Sequence, residues 1–235
     1  MDQYRNVLDH CIELVRAGRP AEAEEQADRA VRGGSEDGRL WQFLGLLRHR
    51  SGDLAGARTA LETAGLLVPL DPPARRALAD CYARTGHPGL AVDLYRDLAG
   101  DGRCPTELLP AVASGLGGLG EHGPALEVCR ELIRRDPFHH GGHFGVAFYL
   151  RRLGLPPEAA LPAVAKAHEL APDLLLYRIA LASLLDYVGR REEAYELLRD
   201  VDPGVVRCRC CLRRMTAILR DAGDASRADA HVPRG

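Results

Sequence analysis

Glycine returns along this chain at a nearly constant stride, at Gly18, Gly52, Gly86, Gly120, Gly154, Gly189 and Gly223. Five of the six intervals are 34 residues and the other is 35, so the chain is a tandem array of one small unit and not a globule around a single core. Alanine follows each glycine by five residues at Ala23, Ala57, Ala91, Ala125, Ala194 and Ala228, and by six at Ala160, where one residue is inserted. Each unit reads as two antiparallel helices. The glycine stands where the first helix must stop and reverse, because it takes a left-handed cap without steric penalty. Small residues at the helix crossing let the backbones approach, while larger aliphatic side chains fill the space beside it. Pro69, Pro137 and Pro172 follow second helices and cannot continue them. One pair of this size buries too little apolar surface alone, so neighbours must stack to complete the core.

With the glycine set at position 15, the second unit begins at Gly38 and carries Trp41, Leu44, Gly45, Gly52, Ala57, Leu61, Ala64 and Pro69. That series resembles the tetratricopeptide repeat, with Trp, Leu and Gly at positions 4, 7 and 8, Ala at 20 and 27, and Pro at 32. The other units match more loosely. Position 8 is small or nearly so throughout (Cys11, Gly45, Ala79, Ala113, Ala147, Ala182, Thr216), and position 7 is aliphatic except for His10. The register divides the chain at about 4–37, 38–71, 72–105, 106–139, 140–174 and 175–208, with a truncated last unit from Arg209. The resemblance covers essentially the whole chain. It implies an all-α fold, a right-handed α-α superhelix of stacked antiparallel helix pairs, as a single domain over residues 1–235.

Composition narrows the function classes. A formal net charge of −2 gives the whole chain no basic footprint for nucleic acid or an anionic membrane. An aromatic content of 5% leaves few platforms for base stacking, so nucleic acid is not an expected partner. There is no leader-like basic and apolar start and no apolar run of bilayer length, which makes a cytoplasmic location the default expectation. Seven cysteines, an odd number in irregular places, do not make a secreted disulfide framework; Cys11 and Cys129 fall at core positions 8 and 24.

The resemblance further implies that first helices line the concave side, through positions 2, 5, 9, 12 and 13. Those positions hold Arg16, His49, Arg50, Arg84, Arg151, Arg152 and Arg220, with Arg39, Arg76 and Arg213 at 2 or 5, whereas Glu24, Glu25, Glu192, Glu193 and Glu196 fall on second helices. A neutral chain can thus present a positive groove that steers an acidic segment and grips carboxylates. The competing account is that arginine near a helix end offsets the negative carboxyl end of the dipole. Phe144 and Phe148 occupy positions 5 and 9 of the fifth unit and Ile179 position 5 of the sixth, so an apolar patch is expected beside Arg151 and Arg152, with Tyr187 at position 13. Leu8, Ile12 and Val15 repeat the situation in the first unit, where packing against a second copy is expected. The chaperone-tail clamp of some relatives uses Lys and Asn at positions that here hold Gln42, Leu46, Arg76 and Asp80, so that clamp is not reproduced.

Three further clusters carry residues with site chemistry. The fourth unit has Pro110 at position 5 and the run Ser114 to Gly120, rich in glycine at about 1 kcal/mol of helix propensity each, which predicts the weakest helix of the array and a hinge. A phosphate loop fails there for want of a Gly-Lys-Ser/Thr ending and a preceding strand. Cys208, Cys210 and Cys211 follow an apparent helix start at Asp202 and Pro203; on a helix Cys208 and Cys211 share a face while Cys210 points away, so three thiolates are not expected to converge. His139, His140 and His143 lack an HExxH frame or a carboxylate set, and interface packing is the expected role of His143. No catalytic residue, cofactor or metal is expected.

The resulting expectation is a non-enzymatic scaffold binding an acidic, partly apolar peptide segment through Arg16, His49, Arg50, Arg76, Arg84, Phe144, Phe148, Arg151, Arg152, Ile179 and Tyr187. The alternative is a metal-binding or thiol-regulated module using Cys208, Cys210 and Cys211. Because the last unit stops after Ala228 and His231 without a full second helix, a homodimer through a terminal repeat is a further expectation.

Overall fold

The computed structural model describes residues 2–229, with side chains from Val7 onward; His231 lies outside the described residues. Among the described residues the regular structure is entirely helical. It consists of α1 (Asp2–Arg16), α2 (Pro20–Arg32), α3 (Gly38–Ser51), α4 (Leu54–Leu67), α5 (Pro72–Arg84), α6 (Pro88–Gly100), α7 (Leu109–Gly118), α8 (His122–Arg135), α9 (His140–Arg152), α10 (Pro157–Leu170), α11 (Leu175–Tyr187), α12 (Arg191–Leu198), α13 (Arg209–Asp221) and α14 (Ala225–Asp229). Short 3-10 turns at Thr106–Leu108 and Pro203–Val205 precede α7 and α13. Each helix of odd number is the first of a repeat and each of even number the second.

All seven periodic glycines sit at the end of a first helix with φ between 76° and 91°, the left-handed region. Bonds that reach back across the reversal close it, as from Arg19 N–H to the Leu14 carbonyl (2.8 Å) and from Asp224 N–H to the Leu219 carbonyl (2.8 Å). The next helix starts on residues suited to a first turn. Pro20, Pro88 and Pro157 need no amide partner there, and the Asp53 carboxylate accepts from Gly56 N–H.

The small positions do what the register requires. A Cβ added to Gly45 would stand 2.5 Å from the Leu61 side chain and 3.3 Å from the Ala57 carbonyl, so positions 8 and 20 mark the α3–α4 crossing. In the fifth repeat Gly145 makes the same allowance for the Cys129 sulfur of α8.

The chain forms two compact units, one up to Glu121 and one from His122 onward. In the first, successive helices from α1 to α6 pack in order. One core cluster joins Cys11, Leu14, Ala23 and Ala27 to Leu40, Leu44 and Leu47, and a second joins Leu61 to Ala74, Ala77 and Leu78. The glycine-rich stretch is helix α7, since Pro110 falls within its first turn, where its missing N–H costs nothing. Gly115 is required there because the Tyr95 ring occupies the space a side chain would need.

In the second unit α8 to α12 pack in order, and α13 packs on both α11 and α12. The core combines Ile179, Ala182 and Leu185 with Ala194, Leu198, Met215, Ile218 and Leu219. This unit is the less regular. Pro162 lies inside α10, α12 has 8 residues, and α13 starts only at Arg209 and not near Asp202.

Candidate functional site

In the first unit, Arg16, Arg50 and Arg84 recur 34 residues apart in the last turns of α1, α3 and α5. All three are exposed and form no ion pair with a described residue. His49 and Arg76 behave differently. Both converge on Asp80, His49 through Nε2 at 3.0 Å and Arg76 as a direct ion pair, while the buried Tyr95 hydroxyl donates to the other carboxylate oxygen. Burial alone would raise the Asp80 carboxyl, but the bonds from His49 and Tyr95 and the Arg76 charge hold it below the ordinary carboxylate range. Burial and the adjacent carboxylate push the Tyr95 phenol far up, so it stays a donor. This network locks α3, α5 and α6 together, and the His49 ring and the Arg76 guanidinium are both already committed within it. At the clamp positions, Gln42 is likewise committed: its Nε2 donates to Asp71 (2.7 Å) and its Oε1 accepts from Asp71 N–H (3.1 Å).

The second unit carries the predicted residues Phe144, Phe148, Arg151 and Arg152 on α9 and Tyr187 at the end of α11. Phe148 on α9 is 47% exposed and Tyr187 at the end of α11 is 66% exposed. The Arg151 guanidinium lies 5.8 Å from the Tyr187 ring centre, within cation–π range, and donates to the Leu155 carbonyl. Arg152 reaches His122 at 3.4 Å; neither arginine pairs with a described carboxylate. Phe144 is half-buried, its ring 4.7 Å from that of Tyr177, whose hydroxyl bonds His140 Nδ1 at 2.9 Å. Ile179 does not join them. It is 2% exposed because it shares with Ala182 and Leu185 the α11 stripe that faces α12 and α13, so it belongs to the core and the expected groove contact is corrected. Leu176, at 49% exposure, is the accessible aliphatic residue of α11. Tyr177 was missed by sequence reasoning, its only signal being an aromatic residue in the first turn of a first helix.

The three histidines serve three separate tasks. His139 Nδ1 accepts from Gly142 N–H and caps α9, His140 meets Tyr177, and a ring nitrogen of His143 meets the Pro137 carbonyl at 2.9 Å. Leu8 and Val15 are half-buried against the first core cluster, and Ile12 is also half-buried.

The cysteines overturn an expectation. Cys208 precedes α13 in an extended conformation (φ −76°, ψ 114°), so its sulfur turns back over the helix start instead of following the helical face. The sulfurs of Cys208, Cys210 and Cys211 therefore all lie within 4.8 Å of one another, with Cys208 and Cys210 at 2.9 Å. The expected divergence of Cys210 fails because the helix begins seven residues later than Asp202. The neighbouring Cys210 thiol and the first N–H groups of α13 hold Cys208 down at about 7, whereas burial pushes Cys211 up. The remaining cysteines, Cys11, Cys81, Cys104 and Cys129, are buried.

A cavity of about 770 Å³ opens between α10, α11 and α12, floored by Leu161, Leu181 and Leu185 and rimmed by Glu192, Glu193 and Glu196. The acids thus lie on a second helix, as the register implied. Among the described residues no helix is long and apolar enough to cross a membrane.

Comparison with known proteins agrees with this architecture. A tetratricopeptide repeat family model matches residues 8–72 and 50–106. A tetratricopeptide repeat protein of Parabacteroides merdae matches at 17% identity over 97% of this chain and 90% of that one, with a TM-score of 0.67. The C-terminal part of such a protein from Cytophaga hutchinsonii gives 14% identity, 94% and 92% coverage and a TM-score of 0.72. YrrB, described as a tetratricopeptide repeat protein with an unusual peptide-binding site, gives 18% identity, 73% and 88% coverage and a TM-score of 0.63. No significant match was found among curated protein sequences. The seven glycine-closed helix pairs in register give this chain the tetratricopeptide repeat fold, and its residues 8–106 match that family's model.

Proposed function

We propose that the protein is a non-catalytic interaction scaffold that seats an acidic, partly apolar peptide segment against α9 and α11 of the second unit. Phe148 and Tyr187 supply the apolar seat, with Phe144 at its edge, and Arg151 and Arg152 supply the charge. One observation carries the reading: the exposed Tyr187 ring lies 5.8 Å from the Arg151 guanidinium, the exposed Phe148 precedes Arg151 and Arg152 by one turn of α9, and no described carboxylate pairs with either arginine. An exposed aromatic and arginine cluster of this kind has the composition of interface hot spots. A family built for protein contacts, and a solved relative described by its peptide-binding site, point the same way. Arg16, Arg50 and Arg84 add a second cationic stripe that attracts acidic segments from solution. The cytoplasmic setting and the self-association through Leu8, Ile12 and Val15 remain parts of this reading. Light scattering decides the latter.

The test uses fluorescein-labelled twelve-residue peptides alternating Asp or Glu with Leu or Phe, compared with the same frames carrying Lys. Acidic peptides should bind more tightly and lose affinity with added salt. Arg151→Glu with Arg152→Glu, and separately Phe148→Ala with Tyr187→Ala, should each weaken binding about tenfold or more, which corresponds to about 1.4 kcal/mol. Equal capture of basic peptides, or unchanged affinity in both double variants, would remove the proposal.

A further inference from the structure

We propose that Cys208, Cys210 and Cys211 form a binding site for one thiophilic d10 metal ion of the zinc class. The site is independent of the peptide-binding surface proposed above.

Three features of the fold create it. The segment between α12 and α13 departs from the repeat, passing through the 3-10 turn at Pro203–Val205 and delivering Cys208 in extended form. Cys210 and Cys211 then stand in the first turn of α13, and the three sulfurs meet within 4.8 Å. A zinc ion about 2.3 Å from each of three thiolates sets the sulfurs roughly 4 Å apart, a value inside the range from 2.9 to 4.8 Å that the cluster spans. Cys211 packs against the core of the second unit, which anchors one ligand, while the exposed Cys208 and Cys210 leave a fourth position for water.

Charge favours the same occupant. On binding, each thiol still protonated gives its proton to solvent, and the product, three thiolates on a divalent ion, carries one net negative charge. Arg207 and Arg209 flank the first ligand, and Arg213 and Arg214 follow one helical turn after Cys210 and Cys211. These guanidiniums oppose a bare dication but stabilise the anionic complex, and so do the N–H groups at the start of α13 that already face the Cys208 sulfur. Hard cations such as Mg²⁺ and Ca²⁺ find no oxygen donors among the three ligands.

The full-length chain, reduced and stripped with a chelator, would be titrated with Zn²⁺ in competition with a chromophoric chelator, and with Co²⁺ for its absorption. One ion per chain is expected, with thiolate-to-cobalt charge transfer and the strong visible bands of a tetrahedral site. Loss of a supporting group alone costs about 10–100-fold in metal affinity, so Cys208→Ser should weaken Zn²⁺ binding by roughly 100-fold or more. The triple Cys→Ser variant at 208, 210 and 211 should keep its helical circular dichroism and lose the ion. If that variant fails to fold, the exposed Cys210→Ser serves in its place with the same expectation. Unchanged stoichiometry or affinity in these variants, absence of charge transfer, or a Cys208–Cys210 disulfide that persists in reductant would overturn the site.

Discussion

The stretch up to Glu121 and the stretch from His122 are written in the same repeat, yet they spend it differently. In the first unit the stride is regular and the family model finds its match. The polar side chains there answer one another: Asp80 gathers His49, Arg76 and Tyr95, Arg48 pairs with Asp28, and Arg75 pairs with Asp101 at 2.6 Å. In the second unit one residue is inserted, a proline enters α10, α12 is short and the linker before α13 is irregular. That unit also exposes Phe138, Phe148, Leu176 and Tyr187 and gathers three thiols. Regularity holds the array together, and departures from it are where unspent chemistry collects.

The contrast can be broken by mutation. The largest effect is expected from Leu44→Ala in the first unit: Leu44 is fully buried, and its truncation should cost about 2–5 kcal/mol in denaturant unfolding. A loss below 1 kcal/mol would show that neighbouring pairs collapse into the gap. Next comes Pro162→Ala, which restores a donor to α10 and should recover up to about 3 kcal/mol; no gain would mean that the second unit has adapted its packing to the proline. Asp80→Asn should lose roughly 1.5–3 kcal/mol at neutral pH, the range for a hydrogen bond to a charged group. Because the folded carboxyl titrates below its unfolded value, this contribution is complete above the ordinary carboxylate range and disappears as pH falls through the depressed value. Wild type and variant should therefore converge in acid, and a gap that persists there would contradict the charge assignment. Gly52→Ala meets no neighbouring atom, so its cost of about 1–2 kcal/mol is backbone strain alone. Smallest of all, Phe148→Ala should change stability by about 0.5 kcal/mol or less while weakening peptide capture.

The fold was legible because its strongest signal is local. A left-handed reversal selects glycine whatever surrounds it, so seven positions announce seven helix pairs. Side-chain direction was legible only where the register is tight. Arg50 and Arg84 are exposed in the last turns of regular first helices, and Phe148 and Tyr187 are exposed on α9 and α11. Ile179 was misjudged because α11 presents its 179, 182 and 185 stripe to α12 and α13, a rotation that repeat numbering does not reveal. The thiol cluster was misjudged because Asp202 and Pro203 have the chemistry of a helix start but open only a 3-10 turn, and the true start six to seven residues on aims Cys208 differently. Asp80 drawing His49 and Arg76 inward depends on Tyr95 arriving from another helix, a contact that no local pattern encodes.

The glycine reversals also bear on how such a chain changes length. A Cβ at Gly18, Gly52, Gly86, Gly120, Gly154, Gly189 or Gly223 would meet nothing within 4 Å, so each bend is self-sufficient and owes nothing to adjacent pairs. Duplicating or deleting a whole hairpin therefore leaves every remaining bend intact, and only the seam between the newly joined neighbours needs to be refitted.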